Sequence, residues 1–112
     1  MGRGSIARSR DFRRVFATGT RARRDGLTVW SAAAPDRQAP SRLGLAVRRG
    51  SGNAVTRNRI KRRLRAAFAE AAPAPGFDVV ARADTELTGK NYQQVRDALR
   101  AALTATGVRT SA

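Results

Sequence analysis

The stretch from Asn53 to Arg65, N-A-V-T-R-N-R-I-K-R-R-L-R, carries six cations in nine residues: Arg57, Arg59, Lys61, Arg62, Arg63 and Arg65. Apolar residues keep a helical spacing through it and beyond, with Ile60, Leu64, Ala67 and Phe68 at i, i+4, i+7 and i+8. A charge run that was only solvated has no need of such a stripe. The spacing predicts a basic helix fixed to a core along one side and presented to a polyanion on the other. It runs to about Ala72, where Pro73, Pro75 and Gly76 end it.

Working outward, R-L-G-L-A-V at Arg42 to Val47 alternates Leu43, Leu45 and Val47 toward a core, the pattern of a strand. A loop with Gly50 and Gly52 delivers it into the basic helix, and F-D-V-V-A-R from Phe77 forms the next strand. Strand, helix and strand make a βαβ unit, so a small mixed sheet is expected. Upstream, Gly26 introduces L-T-V-W-S-A, with Leu27, Val29 and Ser31 on one face and Thr28, Trp30 and Ala32 on the other. Thr20 to Arg24 suits a charged edge strand, its arginines discouraging edge-to-edge pairing. Phe12, Val15 and Phe16 at i, i+3 and i+4 predict a short first helix stopped by Gly19 as C-cap. A last helix, starting at Thr88 or Asn91, carries Tyr92, Val95, Leu99 and Leu103. The expected order is α-β-β-β-α-β-α in one α+β domain over residues 10–106, with a flexible basic arm at 1–9 and a short disordered polar tail at 107–112.

The 112 residues, 41% of them hydrophobic, suffice for one core, yet the formal net charge is +15. Self-repulsion at that charge opposes compaction, and a phosphate-rich partner explains it. With no Cys and no His, disulfides, thiolate chemistry, the usual zinc sites and a His general base are excluded. The eight carboxylates are scattered at spacings that suggest neither a metal pair nor an acid/base pair. No catalytic residue and no protein metal ligand is assigned. No apolar run approaches the ~20 residues that span a bilayer, and the simplest expectation is a soluble, cytoplasmic protein.

These residues carry a resemblance. G-N-A-V-T-R-N-R-I-K-R-R-L-R resembles the RNR signature of the protein subunit of bacterial ribonuclease P. D-F-R-R-V-F-A-T-G-T-R at Asp11 to Arg21, R-L-G-L-A-V, and D-V-V-A-R-A at Asp78 to Ala83 resemble that family's first helix and the strands flanking the signature, in the same order and spacing. The resemblance implies a mixed four-stranded sheet packed with helices and a left-handed βαβ crossover, against the usual hand. It implies a subunit of an endonuclease that removes the 5′ leader of precursor tRNA, in which the RNA subunit is catalytic. Mg²⁺ is then required by the holoenzyme and held mainly by RNA.

By that resemblance Arg57, Asn58, Arg59, Lys61, Arg62 and Arg65 face the catalytic RNA. On a helical wheel Asn58, Lys61, Arg62 and Arg65 share one flank of the stripe, with Arg59 and Arg63 on the other. Phe12, Arg13, Phe16 and Trp30 would line a cleft for the single-stranded 5′ leader, although aromatics at i and i+4 also fit an ordinary buried stripe. The chain departs from the family just before G-x-A-V, where two cations and an aliphatic are usual and Arg49, Gly50 and Ser51 stand, so that one cation and one apolar anchor are missing; Arg48 is a substitute for the lost charge. Two other readings share the size and charge: a basic structural protein that binds ribosomal RNA, and a DNA-binding module with the basic helix in a major groove. The first needs no open aromatic cleft. The second suits a helix with cations on one side better than one with cations on both, and no DNA partner or membrane partner is expected.

Overall fold

In the computed structural model, which describes residues 5–48 and 50–111, the chain runs α1 (Ser9–Thr18), β1 (Thr20–Arg24), β2 (Leu27–Ala33), β3 (Arg42–Val47), α2 (Ala54–Ala71), β4 (Phe77–Ala83), α3 (Thr85–Thr88) and α4 (Tyr92–Ala105). The expected order is present, with α3 added. That single turn is too short to leave a periodic signal, and it seats the buried Leu87. The sheet order is β1-β2-β4-β3, antiparallel except for the parallel β3/β4 pair. A parallel neighbour cannot be reached by a tight turn, and α2 supplies the crossover from β3 to β4. β1 and β2 are joined by Asp25 and Gly26, both with positive φ (53° and 86°). An Asp-Gly pair with that geometry is the turn that matches strand twist in a two-residue hairpin.

Alternation along the strands divides the core in two. Leu27, Val29, Leu43, Val79, Ala81 and Ala83 face α2 and α4. There they meet the predicted stripe of Ile60, Leu64, Ala67 and Phe68, and Val95, Leu99 and Leu103 from α4. Ile60 and Leu64 are essentially sealed from water (1% and 0% exposed), and full burial of each contributes roughly 1.5–3 kcal/mol. On the opposite face a smaller cluster joins Trp30, Ala32 and Val80 to Val15 of α1 and to Ile6, with Phe12 against it. One helix is too narrow to cover four strands, so part of this second face stays open.

Both ends of the domain differ from expectation. Of the arm expected to be free, residues 1–4 lie outside the described residues, but Ser5 bridges to Leu43 and the Ile6 amide donates to the Leu43 carbonyl at 3.0 Å. The apolar Ile6 side chain, fitted between α1 and β3, holds this segment down. The tail is docked as well, because Val108 is buried (1% exposed) and Arg109 and Ser111 exchange backbone hydrogen bonds with Ala74 and Ala71. Ala112 lies outside the described residues. Gly19 does cap α1, but in an extended conformation with φ −79°. Its lack of a side chain serves close packing instead: a Cβ there would lie 2.6 Å from the Val15 carbonyl oxygen.

Candidate nucleic-acid interface

Asn53 starts the basic helix as its N-cap, its side chain accepting from the Thr56 amide at 3.0 Å. Such a cap satisfies one of the unpaired amides of the first turn. It fixes where the cations begin. Arg57 folds back to donate to the Gly52 carbonyl at 2.8 Å, bracing the loop before the helix. Asn58, Arg59, Arg62 and Arg65 are exposed, while Lys61 is half-buried. Lys61 and Arg65 lie beside β3, near Leu43 and Leu45. Arg63 leaves on the other side, donating to the Lys90 carbonyl at 2.8 Å. The stripe of Ile60 and Leu64 therefore separates two cationic flanks, as the wheel requires.

The carboxylates are used elsewhere. Asp84 and Glu86 pair with Arg23, Glu70 with Arg96, and Asp78 with Arg14 and Arg42. Among the described residues, no α2 cation has a carboxylate within 4.0 Å. The few carboxylates are thus spent on β1, β3, β4, α1 and α4, and the α2 cations are left without one among the described residues. Such a patch raises the local concentration of a polyanion and exchanges its counterions for phosphates. Arg48, exposed, prolongs the β3/β4 pairing, its backbone N–H donating to the Ala83 carbonyl at 2.9 Å; Arg49 lies outside the described residues.

A second feature occupies the half-open face of the sheet. The Phe16 and Trp30 rings meet edge to face with centroids 4.8 Å apart, and Phe12 stands 6.4 Å from Phe16. Trp30 is a floor, only 9% exposed, whereas Phe16 is 44% exposed. So the two readings of these aromatics divide: Val15 is the buried residue of α1, and Phe16 is offered to solvent. Phe12 lies over Gly44, where a Cβ would come within 2.8 Å of its ring. That glycine is what lets the ring rest on β3. Arg13 is exposed on α1, about 60° around the helix from Phe16.

Arg82 was not singled out by sequence reading. Its guanidinium lies 5.1 Å from the Trp30 ring centroid, a cation–π arrangement. The signal was present in D-V-V-A-R: with Val79 and Ala81 facing α2, alternation sends Asp78, Val80 and Arg82 to the α1 side. Arg21 and Arg23 of β1 share this face, since they pair in register with Trp30 and Thr28. The aromatic cluster is thereby edged by cations.

Asp78 governs how α1 sits on the sheet. Its carboxylate is fully buried and is gripped by both Nε and a terminal nitrogen of Arg42 (2.8 and 2.6 Å) and by Arg14 of α1. Burial pushes the Asp78 carboxyl pKa up, but the hydrogen bonds from Arg42 and Arg14 outweigh it and hold the group below the ordinary carboxylate value. The same contact raises the Arg42 pKa. The ion cluster ties α1 to β3 and β4 beside the aromatics. Across the sheet, Tyr92 donates to Glu70 at 2.7 Å and joins α4 to α2.

Among the described residues there is no group of three or more His, Cys, Asp or Glu side chains placed to hold a metal ion, and no helix long and apolar enough to cross a membrane. Comparison with known proteins gives the site a context. A family model described as Ribonuclease P matches residues 3–107. The ribonuclease P protein component of Exiguobacterium sibiricum is 33% identical over 105 residues, covering 92% of this chain and 90% of that protein. That of Micrococcus luteus is 49% identical over 67 residues, a match spanning 54% of this chain and about half (51%) of the relative. The solved structure of the Staphylococcus aureus RNase P protein superposes with a TM-score of 0.82 at 25% identity, covering 93% of this chain and 95% of that one. With the family match extending over nearly the whole sequence and the same α+β architecture beneath it, this chain belongs to the ribonuclease P protein family.

Proposed function

We propose that the chain is the protein subunit of a ribonucleoprotein endonuclease, ribonuclease P, that removes the 5′ leader from precursor tRNA in the cytoplasm. The observation that carries this reading is the unpaired cationic surface of α2, presented on a rigid, capped helix in a family of ribonuclease P proteins. The RNA subunit is the catalyst. Arg57, Asn58, Arg59, Lys61, Arg62 and Arg65 bind it, the arginines forking onto phosphates and Asn58 donating to and accepting from backbone or base edges. The required Mg²⁺ is held mainly by RNA phosphates.

The leader is bound on the other face of the sheet. Phe16 and Phe12 stack on successive unpaired bases against the Trp30 floor, while Arg13 meets phosphates. Stacking tolerates any base, which suits a leader of varying sequence. The protein thus raises affinity for substrates that carry a leader and broadens the range processed.

The test is reconstitution with a bacterial ribonuclease P RNA at low Mg²⁺, assaying leader removal from precursor tRNA, with each component alone as control. Cleavage restored only in the mixture is expected. Cleavage by the polypeptide alone, or no stimulation of the RNA, would refute the proposal.

A further inference from the structure

A cavity of about 560 Å³ lies under the α2 flank that faces β3. Leu43 and the nearly buried ring of Phe68 contribute to its walls, with Pro73, Ala69 and Gln38 around them and Arg65 beside them. A separate, smaller pocket of about 120 Å³ shares Ser5, Leu43 and Arg65 with it and adds Leu45 and Lys61. Lys61 and Arg65 are one helical turn apart, so both line one groove. Neither has a carboxylate partner among the described residues.

This volume is in the range of small-ligand sites, roughly 300–1,000 Å³. The lining demands two things of an occupant at once. The Phe68 and Leu43 walls favour a flat apolar body; the Lys61 and Arg65 edge favours an anion. A purely apolar ligand would leave Arg65 and Lys61 without a counter-charge, and an acidic side chain alone would leave the Phe68 and Leu43 walls uncovered. A nucleotide satisfies both demands, with its base inside and its phosphate at the edge. Proteins that read RNA take hold of unstacked bases in this manner.

We infer that this cavity receives one unpaired, extruded nucleotide of the RNA subunit, with the phosphate on Arg65 and Lys61. The inference rests on the proposed binding of that RNA by α2. The 5′ leader is the wrong source, because the cavity opens on the α2 side of the sheet and the aromatic cleft on the α1 side. The nucleotide adds a shape-specific anchor to a surface that otherwise recognises phosphates only. It gives the complex one register.

Ala69→Leu fills the cavity from an exposed helical position that favours leucine. Gln38→Ala, in the exposed β2–β3 loop, removes a polar group from its wall without touching the core. Binding to the reconstituted RNA subunit is measured together with nucleotide-resolution chemical probing, and thermal unfolding confirms that each variant folds. With wild-type protein one unpaired nucleotide is expected to be protected. With Ala69→Leu that nucleotide regains reactivity and affinity falls roughly tenfold, while the salt slope drops by no more than about one, the single phosphate held at Arg65 and Lys61. Gln38→Ala gives the same loss of protection with a smaller fall in affinity. Unchanged protection and affinity within twofold for both variants would overturn the inference. Altered sedimentation of the free protein with unchanged RNA protection would overturn it too, making the cavity a seat for a second copy. Arg62→Gln separates the two levels of argument. If it weakens binding and the cavity variants do not, only the inference fails; if it too is silent and binding ignores salt, the proposed RNA surface fails.

Discussion

Replacing Asp78 with Asn keeps the shape of the side chain and removes the charge held between Arg14 and Arg42. Breaking a buried ion pair by removing one partner costs about 3–5 kcal/mol. Here the carboxylate has no exposure, while the Arg14 and Arg42 side chains are 29% and 33% exposed. Both guanidiniums regain some hydration, so about 2–4 kcal/mol is expected. At this chain length that corresponds to a fall in Tm of roughly 10–20 °C. Trp30 is the only tryptophan and belongs to the affected cluster, so its fluorescence follows urea unfolding directly. The pH dependence sharpens the test. Because the folded-state pKa of Asp78 is lowered, its contribution is fully present above the unfolded value of about 3.9. It is lost as pH falls through the folded value. The gap between wild type and Asp78→Asn is therefore wide at pH 7, begins to close near pH 4 and vanishes at lower pH. A difference below about 0.5 kcal/mol at pH 7, or a gap that persists unchanged into acid, would refute the claim that this cluster fastens α1 to the sheet.

Phe16→Ala should weaken precursor tRNA binding by the holoenzyme about 5- to 150-fold, one stacked base being worth roughly 1–3 kcal/mol; mature tRNA should be nearly unaffected, and equal losses would assign Phe16 to packing alone. Affinity for the RNA subunit should fall steeply and log-linearly with salt, and Arg62→Gln should lower the slope by about one. Gly44→Ala brings a Cβ within 2.8 Å of the Phe12 ring, an overpacking cost of about 1–3 kcal/mol. Its urea midpoint should drop and its near-ultraviolet dichroism change, whereas an unshifted midpoint would mean that Phe12 is not seated on β3.

Every element long enough to show a period can be read from the order of the residues alone. Ile60, Leu64 and Phe68 fixed the inner side of α2, and Leu43 and Leu45 fixed that of β3, because side-chain direction follows from backbone repeat alone. That order also sets the cationic flanks, since charge and helical spacing are both local properties. What neighbours a residue across the sheet is not local. Only the tertiary structure brought Arg14 and Arg42 onto Asp78, laid Arg82 against Trp30 and divided the aromatics into a buried floor and an exposed Phe16, because those contacts join segments tens of residues apart. It likewise decided that Ile6 and Val108 are docked, which one apolar residue in a polar segment does not announce. The cationic surface was legible because no acid had to be located to find it; that no acid among the described residues answers it could be known only once the chain had folded.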